Sequence, residues 1–158
     1  GPLFLMLHPG MAPKTLENLN DFLAYLPDDF SVFVEVRHPE WFTTESLDAL
    51  GEVLHNHGAG FIITDAAGRR DCVHMRMTNN QTFIRFVGNG LHPSDYTRID
   101  AWVQRIKTWM ALGIEKIFFF MHQHEEVHSP VLSKYLLEKI NAECNLSIKV
   151  PEFQTDVV

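Results

Sequence analysis

Short apolar runs alternate along this chain with segments whose apolar residues recur every three or four positions, and this alternation restricts the fold more than any other feature. Five strands are expected, over Leu3–Leu7, Ser31–Arg37, Gly60–Thr64, Thr82–Val87 and Lys116–Met121. Helices are expected over Pro13–Leu26, with Leu16, Leu19, Leu23 and Leu26 on one face, and over Thr44–His57, with Leu47, Leu50 and Leu54 inward. Two more span Ser94–Leu112 and begin at Ser129-Pro130, where a capping serine precedes proline in its favoured first position. Gly58 and Gly113 stand where left-handed C-terminal caps belong. Residues 66–81 have no convincing helical period, and a loop of that length inside a compact domain is usually functional or mobile. Strands joined by helices require a parallel sheet with right-handed crossovers. The α/β architectures that satisfy this are part of a TIM-barrel-type (β/α)₈ fold and a five-stranded doubly wound sheet.

The second strand bears on that choice. Successive side chains of a strand point to opposite faces, so Val32, Val34 and Val36 share one side and Phe33, Glu35 and Arg37 the other. A strand in an α/β protein is covered on both faces, where an ionised Glu or Arg costs several kcal/mol unless it is paired or faces a wet cavity. Inward charges favour the barrel, because a doubly wound sheet keeps its polar groups past the strand ends. The competing reading is a structural Glu–Arg clasp without chemistry.

With 46% hydrophobic and 21% charged residues, 158 residues suit one globular domain. A net charge of −7 argues against a phosphate-backbone surface, so no nucleic-acid partner is expected. Cys72 and Cys144 have no ligand or disulfide spacing, which makes a reducing, cytoplasmic setting the expectation. No apolar run is long enough to cross a bilayer and no leader opens the chain, so no membrane association is expected. The opening Gly1-Pro2, without Met, reads as a cloning remnant or the start of a fragment.

The run Glu35-x-Arg37-His38-Pro39-x-Trp41 resembles the YecE-like family, a domain of unknown function (DUF72), whose members carry Glu-x-Arg-His-Pro-x-Trp in mid-chain. Gly1-Pro2-Leu3 with Leu7 and Pro9, Asp65, Arg85 with Gly88, and Tyr96 with Trp102 resemble further family segments in the same order. The resemblance implies a (β/α)₈ barrel, with this chain as its carboxyl-terminal five strands. Five eighths of a ~250-residue barrel is about 156 residues. Five strands cannot close such a barrel, so either the open sheet edges associate with a partner copy, or residues 1–158 are a single domain at the carboxyl end of a longer protein. The chain departs from the family at Met6-Leu7-His8-Pro9 and at Phe120-Met121-His122, where the family carries amides.

In a barrel the active site lies at the carboxyl ends of the strands, where Arg37, His38, Asp65, Gly88, His122 and His124 are expected, with Glu35 and Arg85 one layer deeper. Arg37 and Arg85 suit bidentate capture of a small anion, carboxylate or phosphate. Glu35 or Asp65 would then serve as acid or base, with His38 assisting. Gly88-Asn89-Gly90 offers backbone N–H groups to an anion, against the plainer reading of a tight turn. Trp41, just past a strand end, is a candidate for stacking on the ligand, whereas Trp102 is core by its period. His122 and His124 alternate at a strand end and could converge with Asp65 or Glu35 on a divalent metal, zinc or manganese. His124-Glu125-Glu126-Val127-His128 matches the zinc-protease pattern literally, but that motif works only on a helix, and Pro130 would lie inside it. The expected function is action on a small anionic or phosphorylated substrate by acid–base or metal-assisted hydrolysis, or by lyase-type proton transfer. The alternative is a non-catalytic ligand-binding or scaffold module.

Overall fold

The computed structural model describes residues 1–27 and 29–153. Its strands are β1 (Leu3–Met6), β2 (Val32–Glu35), β3 (Gly60–Ala66), β4 (Gln81–Val87) and β5 (Lys116–His122), and its helices are α1 (Leu16–Ala24), α2 (Thr44–Asn56), α3 (Pro93–Ala111) and α4 (Ser129–Cys144). The strands are parallel and lie in one sheet in the order β1-β2-β3-β4-β5. A doubly wound sheet reverses its order at a switch point; here each strand is added beside its predecessor, as in a (β/α) barrel, and the five βα strands form part of one.

The described chain divides into two compact units, one of residues 1–86 and 114–120, the other of residues 87–113 and 121–153. In the first unit, alternation along β2 sorts the side chains as its sequence requires. Val32, Val34 and Val36 pack with Leu19 and Leu23 of α1 and Leu47, Leu50 and Leu54 of α2 in one core. Phe33 turns the other way, into a layer with Ile62, Phe83 and Phe118. Phe33 lies tilted on Phe83 and edge-on to Phe118, with centroids 5.8 and 5.7 Å apart. Phe33 is in register with Gly60, where a Cβ would stand 2.5 Å from the Phe33 ring. A side chain at that position has no room, which accounts for glycine at the head of β3.

In the second unit α3 packs on α4: Tyr96 meets Tyr135 edge-on at 4.9 Å, and the Tyr135 hydroxyl donates to Asp100 at 2.8 Å. Gly58 and Gly113 adopt φ +64 and +93, the left-handed conformation expected past the ends of α2 and α3.

Several boundaries differ from expectation. The first helix is a 3-10 turn over Pro13–Thr15 followed by α1, and Leu26 lies beyond it. Pairing of β2 stops at Glu35, so Arg37 is two residues past the strand, whereas β3 runs on through Asp65 to Ala66. Within the loop of residues 66–81, Arg70–Cys72 form a 3-10 turn.

Candidate functional site

Glu35 ends β2 on the same face as Phe33, 1% exposed. Its Oε2 accepts from Arg85 Nε at 2.7 Å, and its Oε1 accepts from Arg85 Nη2 at 2.8 Å and from Arg37 Nε at 3.1 Å. Arg85 meets the carboxylate in a two-bond fork, the strong form of such a pair. Arg37 touches it through Nε alone and is 36% exposed at its side chain. The strand alternation therefore places Glu35, Arg37 and Arg85 together as expected. A cavity of about 180 Å³ opens on them, lined by Pro9, Glu35, Val36, Arg37, Thr64, Ala66, Arg69, Cys72 and Arg85.

Asp65 does not join them. Ile62 belongs to the Phe33 layer and Phe61 to the helix-side core, so Thr64 shares the inner face and Asp65 the opposite one. Asp65 is buried there and forms an ion pair with Arg70. Glu35, Arg37 and Arg85 thus gather without Asp65, because Asp65 lies inside the strand rather than past its end. His38 is set apart too: its Nδ1 accepts from the Glu40 N–H at 3.3 Å and caps the 3-10 turn Pro39–Phe42, and it is not among the residues lining the cavity. Trp41 is a correction of another kind. That turn folds it into the helix-side core, fully buried, with Nε1 donating to the Met11 carbonyl at 2.7 Å, so it has no face for a ligand.

The Gly88-Asn89-Gly90 turn has spent its amides internally. Gly88 N–H donates to the His122 carbonyl at 2.9 Å, Asn89 N–H to the Asp95 carboxylate at 2.8 Å, and Gly90 N–H to Gln123 Oε1 at 3.0 Å. A Cβ at Gly88 would stand 2.4 Å from the Gln123 amide, so glycine is there to admit Gln123. Among the described residues no three His, Cys, Asp or Glu side chains gather as a metal site. His122 is bonded to Glu126, and the Ser129 hydroxyl, donating at 2.6 Å, together with His122 holds the Glu126 carboxyl below its usual range. The His-Glu-x-x-His stretch is not helical: residues 126–128 form a 3-10 turn and α4 starts at Ser129.

Three polar contributors to the cavity wall, Thr64, Arg69 and Cys72, were not expected from sequence. Thr64 lines the cavity, and its hydroxyl is buried with no hydrogen-bond partner. Its parity with Glu35 across β2 and β3 was the available signal. Arg69 comes from the loop, held by Asp71 through Nε and Nη2 at 3.0 and 2.9 Å, and it donates to Cys72 Sγ at 2.9 Å. Burial pushes the Cys72 thiol above its ordinary value. His74, from the same loop, packs on the ring of Phe61, and burial lowers its pKa from 6.5 to about 4.

The sequence model of the family described as "Protein of unknown function DUF72" matches residues 1–155. The chain belongs to the DUF72 family. It is 28% identical over 159 residues to the UPF0759 protein YecE of Escherichia coli K12, an alignment covering 89% of this chain and 58% of the relative. The chain thus spans less than two thirds of that relative's length. A crystal structure of a DUF72 family protein from Enterococcus faecalis V583 superposes with a TM-score of 0.71 at 13% identity, covering 98% of this chain and 62% of the other. A DUF72 family protein from Thermotoga maritima MSB8 gives 0.55 at 17% identity, over 85% and 56%. At such identities these DUF72 neighbours speak for the fold alone. No helix among the described residues is long and apolar enough to cross a membrane.

Proposed function

We propose that this DUF72 chain binds a small anion in the cavity at the carboxyl ends of β2, β3 and β4, with Arg37 and Arg85 as its direct ligands. The observation that carries the reading is the shared carboxylate. Glu35 fixes both guanidinium groups from one side and leaves Arg37 Nη1 and Nη2 and Arg85 Nη1 without hydrogen-bond partners among the described residues. Three arginines against one carboxylate on the cavity wall give an excess of positive charge, and a surplus of one sign in a recess favours a ligand of the other. In this reading Glu35 positions the arginines and is not the proton acceptor, since its oxygens already accept three bonds. A scaffold clasp alone explains the Arg85 fork but not the open edge of Arg37.

Residence in the cytoplasm belongs to the same proposal, supported by two free cysteines. So does self-association through the sheet edges, supported by the exposed Leu3, Phe4 and Met6 of β1 and Phe120 of β5.

The test is thermal unfolding at constant ionic strength with rising phosphate, sulfate or malonate. An anion at one hundred times its Kd adds about 2.7 kcal/mol, a rise of several degrees. Wild type should show a saturable rise, and Arg37→Ala, which removes a part-exposed side chain, should lose most of it. Equal rises in both proteins would contradict the reading.

A further inference from the structure

We infer that the anion this cavity takes is a tetrahedral phosphoryl dianion, a small phosphomonoester, and that Thr64 is a residue selecting it over a planar carboxylate. The inference rests on the anion-binding reading and adds the ligand class. A carboxylate presents two oxygens in one plane, which Arg37 and Arg85 alone would satisfy. The wall holds more than that. Arg69 lines it from the loop after β3, kept there by its two-atom bond to Asp71, with Nη1 unused among the described residues. Thr64 lines it from β3. It is 7% exposed, and its Oγ1 is buried with no partner, an arrangement that costs free energy in the unliganded protein unless a ligand oxygen completes it. Three guanidinium groups and a hydroxyl from four chain segments suit three terminal oxygens disposed tetrahedrally.

Charge and size agree. The charged groups on the wall are Glu35, Arg37, Arg69 and Arg85, a surplus of two positive charges that matches a dianion; Asp71, paired with Arg69 but not on the wall, lowers the local surplus to one. A cavity of about 180 Å³ is worth about six water volumes of ~30 Å³, enough for a phosphoryl group and a short ester tail. Glu35, Arg37 and Arg85 are legible in the sequence as residues of one site; the selection is carried by Thr64 and Arg69, which the strand parity and the loop turn deliver.

The experiment is isothermal titration of the full chain with methyl phosphate, sulfate and malonate between pH 5.5 and 7.5 at constant ionic strength. A phosphomonoester takes its second charge near pH 6. Methyl phosphate affinity should therefore fall about fourfold from pH 7.5 to 5.5, while sulfate affinity stays level. No histidine lines the cavity, and sulfate controls for protein titration. At pH 7.5 methyl phosphate should bind at least about tenfold tighter than malonate. Thr64→Val should weaken methyl phosphate by about tenfold, the worth of one hydrogen bond to a charged group, with the unliganded melting temperature unchanged or raised. Thr82→Val is the control: it removes another buried, unpartnered hydroxyl that is not on the cavity wall, and should leave the affinity alone. Malonate binding as tightly as methyl phosphate, or Thr64→Val binding methyl phosphate as wild type does, would overturn the inference while leaving an anion site. Failure of all three anions to bind would instead overturn the site itself.

Discussion

A carboxylate taken out of water costs several kcal/mol unless hydrogen bonds and opposite charge offset the loss, and Glu35 has both in Arg37 and Arg85. The Arg37 half of this is readable from the alternation of charge in Val32–Arg37. What alternation did not deliver is the neighbour on the next strand. The sequence pattern ends β3 at Thr64 and so groups Asp65 with Glu35; two further strand residues put it on the other face with Arg70. His74 carried no sequence signal, since nothing in the loop shows that its imidazole will be packed against Phe61. Its burial makes a prediction. The folded-state pKa of about 4 lies below the ordinary 6.5, so the unfolded chain binds the extra proton first as pH falls. Stability is therefore intact above pH 6.5 and is lost as pH drops towards 4, by about 3 kcal/mol in all. Urea midpoints of wild type and His74→Leu should converge over that window, the wild type losing more; parallel curves would contradict the assignment.

The elements themselves were legible wherever period and punctuation agreed. α2, with Thr43 accepting from the Ser46 N–H at 3.1 Å and Gly58 past its end, matches expectation to a residue. Agreement was poorer at Pro13, where the entry turn tightens to 3-10, and at Arg37, where the chain leaves the sheet before Pro39. The loop of residues 66–81 hid Arg69, because a 3-10 turn of three residues has no period to detect. Register between β2 and β3 depends on Gly60 lying under Phe33. Gly60→Ala should destabilise by roughly 1–3 kcal/mol, the usual cost of overpacking. The loss should shrink in a Phe33→Leu background, where the ring is gone; an undiminished cost in the double variant would show that the contact is not its cause.

For the whole molecule, the strand–helix alternation left two architectures, and the unreversed order β1 to β5 decides for the barrel type. The inward charges had pointed the same way, since Glu35 and Arg85 share their face with the aromatic layer of Phe33, Phe83 and Phe118. Family membership follows from a match over residues 1–155, in a family described only as being of unknown function. The anion site proposed for this chain therefore rests on two guanidinium groups aligned by one carboxylate. The most direct measurement follows the Nε–H signals of Arg37 and Arg85 by ¹⁵N NMR as methyl phosphate is added to the full chain. The account predicts that both signals move together and saturate with one Kd, and that the movement is absent in Arg37→Ala for the remaining signal at the same concentrations. Signals that stay fixed up to tens of millimolar, or that drift linearly without saturation, would contradict it.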